Sequence, residues 1–202
     1  GIINGMDINP DCKSLESKNI KIYIGSQNDK LFLNQLSRSI NPLDIIIDDG
    51  GHTMDQQINS FEILFPILSE GGVYICEDIE SSYQNMYGGG PKRKGTFIEY
   101  CKNLIDSINA NHSHFFTLKP SKYSKQIDYI HFYNNVVVIG KKTINQFPHH
   151  VKNNGKESIN IDKRNRVNRL KLFASKIISI INFILGILRM KPIYIGSTSQ
   201  KL

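Results

Sequence analysis

Cysteine is scarce: Cys12, Cys76 and Cys101 are odd in number and lack metal-finger spacing. That excludes a disulfide framework and a zinc knuckle and points to a reducing, cytoplasmic setting. No charged-then-apolar leader with a small-residue cleavage site opens the chain, whose first residue is Gly1. No internal repeat is present. The most apolar segment has an uncharged core of only 12 residues, Ile177 to Leu188, where a spanning helix needs about 20. Acidic residues nearly vanish after residue 150, with two against 11 Lys or Arg, whereas residues 1 to 150 carry 16 against 14. The net charge of +7 therefore belongs to the tail. A near-neutral body lacks the cationic face that phosphate-backbone binding needs, so no nucleic-acid partner is expected.

What is there is the alternation of an open α/β sheet. Apolar runs ending at Asp7, around 20 to 25, at 43 to 48 and at 71 to 78 read as strands. The run "LDIIID" is apolar up to its acidic end, as strands covered on both faces are. Helical spacing marks "NDKLFLNQLSRSI", "TMDQQINSFEILFPIL", with Thr53 and Gln56 as a capping box, and "TFIEYCKNLIDSIN". "YIHFYNNVVVIGKK" reads as two antiparallel strands around a tight Asn134-Asn135 turn.

In such sheets ligands bind beyond the carboxyl ends of the strands. Asp7, Gln27, "DDGGH" (48 to 52) and Glu77-Asp78 all fall there. Three carboxylates in one small volume, Asp49, Glu77 and Asp78, repel one another unless a cation or retained protons compensate, and an all-oxygen set favours Mg²⁺ over Mn²⁺ or Ca²⁺. His52, at the start of a helix, is placed to act as general base. Asp and Gly are also ordinary turn formers, and acids favour helix N-termini. Either acidic pair alone fits that plain reading; both pairs with a histidine at one rim favour a site. Asp7 is open between a common strand-end acid and one that receives ribose hydroxyls. The loop from 79 to 95, with Tyr83, Tyr87, "GGG" and "KRK", is open between a solvated loop and a flap over a sugar or phosphate-bearing acceptor.

The stretch "DIIIDDGGHTMDQQINSFEILFPILSEGGVYICEDIESSY" resembles the metal-dependent sugar O-methyltransferases of macrolide biosynthesis, the mycinamicin VI 2''-O-methyltransferase type, over about residues 1 to 142. The resemblance implies a Rossmann-like class I methyltransferase fold, α/β, mostly parallel with a C-terminal antiparallel hairpin. It also implies S-adenosylmethionine and Mg²⁺ as cofactors and a sugar or glycoconjugate acceptor. By motif, Asp49, Glu77 and Asp78 become metal ligands, His52 the base, Asp7 the ribose acid, and Gln27 and Asp48 pocket residues. That family has a first strand and glycine-rich loop before the position of "GIINGMDINP", so the chain reads as N-terminally truncated. Two other readings stay open: a non-catalytic methyltransferase-like binding or scaffold fragment, and an O-methyltransferase of small aromatic hydroxyls.

Beyond the domain at 1 to 142, residues 143 to 169 read as a basic linker, 170 to 190 as an apolar helix and 191 to 202 as a tail. Lys171, Ser175, Ser179, Asn182 and Gly186 form a polar stripe on that helix. Its wide apolar face suits peripheral contact with a membrane, packing on the body, or a second copy of the chain.

Overall fold

The computed structural model describes residues 1–40, 42–110, 118–143, 152–153, 156–157, 169–188 and 190–191. It divides into two compact units, Gly1–Asn111 with Pro120–Gln146, and His112–Lys119 with Phe147–Leu202.

The first unit alternates strands and helices where the apolar spacing predicts. It runs β1 (Ile3–Asp7), a 3₁₀ turn (Pro10–Leu15), β2 (Ile20–Ile24), α1 (Lys30–Ser39), β3 (Leu43–Asp48) and α2 (Met54–Leu64). β4 (Leu68–Cys76), α3 (Phe97–Asn109), the single turn α4 (Tyr123–Gln126), β5 (Ile127–Phe132) and β6 (Val137–Lys141) complete it. The Asp29 carboxylate accepts from the Leu31 and Phe32 amides to start α1, and the Thr53/Gln56 capping box starts α2. β1 and β2 are parallel, as are β3 and β4; β6 and β5 add antiparallel to β4 as the expected hairpin. β4 loops out between its pairings Leu43↔Leu68 and Ile45↔Val73. Gly71 there has φ +74°, and a Cβ on Gly72 would lie 2.9 Å from the Asp44 carbonyl oxygen, so the bulge needs both glycines.

Among the described residues the strands form two sheets, β1-β2 and β3-β4-β6-β5. Between β1 and β3 lies a cleft of about 1340 Å³, lined along both strands from Ile2 to Ile8 and from Leu43 to Gly51.

The core sits on one side of the four-stranded sheet. Phe61 of α2 is fully buried and stacks on Phe65 at 4.8 Å between ring centroids, with Tyr74 edge-on at 5.2 Å and Tyr123 at 5.5 Å. Ile46 and Tyr74 face this layer. The expectation that β3 is covered on both faces is corrected: Ile45 and Ile47 are 62% and 63% exposed. Side chains alternate across a strand, so 45 and 47 share the opposite face, which no described helix covers.

In the second unit, β7 (Lys152–Asn153) pairs with β8 (Lys156–Glu157), and α5 spans Arg169–Ile187. The expected linker is otherwise outside the described residues, as is the tail beyond Lys191.

The two faces of β3 differ measurably in what they contribute. In urea denaturation, Phe61→Ala is expected to lose about 3–5 kcal/mol and Ile46→Ala about 2–5 kcal/mol. Ile45→Ser and Ile47→Ser should change stability by no more than about 0.5 kcal/mol, as substitutions on exposed positions do.

Candidate active site

β3 ends in two aspartates whose surroundings differ. Asp48 is buried; its Oδ1 accepts from Gln27 Nε2 at 2.6 Å and its Oδ2 from the Tyr74 hydroxyl at 2.6 Å. Burial pushes its carboxyl above the ordinary range, against the opposing pull of the Tyr74 hydroxyl, the Gln27 amide, the Gly50 amide and His52. Gln27, also buried, donates to Ser60 Oγ at 2.8 Å and accepts from the Gly51 amide. These approaches explain the glycine pair. A Cβ at Gly50 would lie 2.6 Å from Gln27 Oε1, and one at Gly51 would lie 2.2 Å from Gln56 Nε2. Gln27 and Asp48, expected in a cofactor pocket, do line the cleft. Their hydrogen bonds nonetheless run to each other, Ser60, Tyr74 and Gly51.

Asp49 is exposed beside this network. It converges with His52 and Asp78, one ligand atom from each lying within 4.8 Å of the others. His52 Nε2 is 3.5 Å from Asp78 Oδ2, and its ring meets Tyr87 edge-on at 6.1 Å. Glu77 lies outside this cluster of described residues; its amide donates to the Asp48 carbonyl at 3.0 Å. Beneath it Gln57, 1% exposed, donates to the Glu77 carbonyl. Two carboxylates and an imidazole within this span suit a divalent cation, with oxygens from water or substrate completing a Mg²⁺ shell.

Asp78 has φ +51°, a left-handed conformation that a non-glycine residue adopts at a cost of about 1 kcal/mol or more. Asn135, at the tip of the β5-β6 hairpin with φ +66°, holds it there. The Asn135 Nδ2 donates to Asp78 Oδ1 at 3.0 Å, and its Oδ1 accepts from the Glu80 amide at 2.9 Å. Its carbonyl also accepts from the Ile79 amide. The sequence marks Asn135 as a turn residue and gives no sign that it reaches a carboxylate 57 positions away. Tyr74, the partner of Asp48, is missed for the same reason.

Asp7 is exposed on the cleft, and its Oδ1 accepts from the Asn9 amide at 2.7 Å. Tyr83 and Tyr87 lie on two short 3₁₀ turns, Ile79–Tyr83 and Asn85–Tyr87. Tyr83 is exposed, whereas Tyr87 stands over His52. Of the glycines that follow, Gly88 is exposed with φ +84°, Gly90 donates to the Ser82 carbonyl at 2.8 Å, and a Cβ at Gly89 would sit 2.3 Å from the Ser81 carbonyl oxygen. Gly89 thus permits close approach of backbone.

With this geometry in view, comparison with known proteins is decisive. Mycinamicin VI 2''-O-methyltransferase of Micromonospora griseorubida is 35% identical over 151 residues, 70% of this chain and 36% of the relative. The chain is a relative of the sugar O-methyltransferases. Demethylmacrocin O-methyltransferase of Streptomyces fradiae is 32% identical over 145 residues, again 70% of this chain and 36% of the relative. The MycE methyltransferase of the mycinamycin pathway, solved with Mg, SAH and mycinamycin VI, superposes with a TM-score of 0.63. It is 31% identical and covers 75% of this chain and 39% of its own. The fold is thus the Rossmann-like methyltransferase fold. No protein-family model matches. The chain spans little more than a third of the length of these relatives.

Removing the Tyr74 hydroxyl leaves a buried carboxylate short of one donor. Tyr74→Phe is expected to lower stability to urea by about 1–3 kcal/mol, the magnitude of an unsatisfied buried acceptor, although ring packing against Phe61 is retained.

Proposed function

We propose that the protein transfers a methyl group from S-adenosylmethionine to a hydroxyl of a sugar or glycoconjugate, with Mg²⁺ bound at the acidic rim. The observation that carries this reading is the convergence of Asp49, His52 and Asp78 beyond the carboxyl ends of β3 and β4. Relationship to enzymes named as O-methyltransferases of mycinamicin VI and of rhamnosyl tetracenomycin-C supports it.

Asp49 and Asp78 are the residues that would hold the metal, with Glu77 the further carboxylate of the same rim. A bound Mg²⁺ makes a coordinated hydroxyl more acidic. S-adenosylmethionine supplies the methyl group on a sulfonium. A neutral sugar hydroxyl is a poor nucleophile at neutral pH, so its proton has to leave as the new oxygen–carbon bond forms. His52 takes that proton at Nε2, and Asp78 Oδ2, 3.5 Å away, stabilises the resulting imidazolium. Tyr87 forms a T-shaped ring pair with His52. Tyr87 and the exposed Tyr83 offer apolar ring surface to the sugar on the open side. Asp7 stands at the end of β1, across the cleft, where a carboxylate accepts from ribose hydroxyls.

Asn135 acts as a positioning residue, because it fixes the Asp78 carboxylate without reaching acceptor or cofactor. Asn135→Gly keeps the left-handed backbone available while deleting the side-chain clamp.

Calorimetric titration of S-adenosylhomocysteine with and without Mg²⁺, together with turnover on a deoxysugar glycoside, tests the assignment. His52→Ala is expected to lower turnover by about 10²–10⁴-fold, the usual contribution of a general base, while leaving S-adenosylhomocysteine affinity within about twofold. Unchanged turnover would remove His52 from the mechanism. Asn135→Gly should weaken Mg²⁺ binding without changing S-adenosylhomocysteine affinity in the absence of metal. Equal Mg²⁺ affinity in the parent and the variant would show that the clamp is structural only.

A further inference from the structure

The helix α5 has no role in the site described above, and its surface calls for one. Phe173, Ile177, Ile180, Ile181, Ile184 and Leu188 are all exposed. At 100° per residue they fall within one arc about 100° wide, free of polar residues. Phe183 and Ile187, exposed as well, flank it on one side with the exposed Lys176 between them, a cation that can reach headgroups from the edge of the apolar arc. Large apolar side chains brought together in this way mark a surface that meets something apolar.

Charge says what kind. No Asp or Glu occurs from Lys163 to the end of the sequence. In the sequence, Arg164 and Arg166 precede α5, Arg169 and Lys171 fall in its first residues, and Arg189 and Lys191 follow it. The complement of such a segment is an apolar layer bordered by negative charge. An anionic lipid surface is built that way: acyl chains accept the apolar arc while headgroups meet the basic residues at both ends. Ile177, Ile180, Ile181 and Ile184 also have the i, i+3, i+4, i+7 spacing that a groove on another protein takes, so it is the uniformly basic character of the segment that selects a lipid surface.

Length decides the orientation. The uncharged stretch Ile177 to Leu188 spans about 18 Å as a helix, well short of a hydrocarbon core of about 30 Å. No helix among the described residues is long and apolar enough to cross a membrane. Lying in the interface plane satisfies both the apolar arc and the flanking charges.

We infer that α5 is an interfacial helix that binds the full chain to anionic lipid surfaces. This stands on the tail alone and is independent of the catalytic reading.

The sequence contains no tryptophan, so Phe183→Trp places a single reporter beside the apolar arc. The full chain carrying it is mixed with vesicles of phosphatidylcholine containing 30% phosphatidylserine, and separately with phosphatidylcholine alone. Binding is read by sedimentation and by the tryptophan emission maximum. The expected result is at least tenfold tighter binding to the anionic vesicles, a blue shift of emission there, and weaker binding in 0.5 M NaCl. Adding Ile180→Glu and Ile184→Glu should reduce vesicle binding at least tenfold. The inference is overturned if neither vesicle binds, if both bind equally, or if the double glutamate variant binds like its parent. It is also overturned if sedimentation velocity shows a dimer that the glutamates dissolve while vesicles leave the protein in solution, since a second copy then covers the arc.

Discussion

A carboxylate buried at the end of a strand must be met by donors or keep its proton, and the architecture of the site follows from how Asp48 is met. Its two oxygens take the Gln27 amide and the Tyr74 hydroxyl, which ties the loop after β2 and the middle of β4 to the end of β3. Gln27 then accepts from the Gly51 amide, so one side chain sets the path of the chain from Asp48 to His52. Glycine at 50 and 51 leaves the room that the Gln27 and Gln56 amides occupy. Two adjacent aspartates therefore do different work. Asp48 faces inward and organises the turn, and Asp49 faces outward toward Asp78 and His52.

The elements of the first unit were legible because their signals are local. Short apolar runs marked the strands, Thr53 and Gln56 marked a helix start, and Asn134-Asn135 marked a hairpin. The acidic rim was legible too, since parallel strands bring their carboxyl ends to one side. Contacts between distant positions were not. Asp78 with Asn135 and Asp48 with Tyr74 are pairs whose partners lie 57 and 26 positions apart, and neither Asn135 nor Tyr74 carries a local mark of its role. The role of the glycine at 89 was hidden for a related reason. A glycine that permits motion and one that admits a neighbouring carbonyl look alike in a sequence, and the contacts of Gly89 identify the second kind.

The apolar face of β3 shows the same limit from the other side. A run such as "LDIIID" records what the strand tolerates on both faces, while burial records what covers it. Here Ile46 meets the α2 layer, and Ile45 and Ile47 remain exposed.

The cleft between β1 and β3 bears directly on how the two halves of the site are coupled. Within the four-stranded sheet, backbone hydrogen bonds fix β3 relative to β4, so the Asp49 and Glu77-Asp78 loops keep a common frame. β1 and β2 form a separate ladder, and Asp7 at its end belongs to that frame. Where no ladder runs between the described strands, side chains have to supply the register. Gln27 supplies it at the rim, because it follows β2 in the chain and bonds to Asp48, Gly51 and Ser60 on the other side. It is buried, and each of its hydrogen bonds crosses between the frames, so its geometry is shared by the Asp7 side and the acidic side. The placement of Asp7 relative to His52 thus depends on the hydrogen bonds of Gln27 together with the packing of α1 on α2.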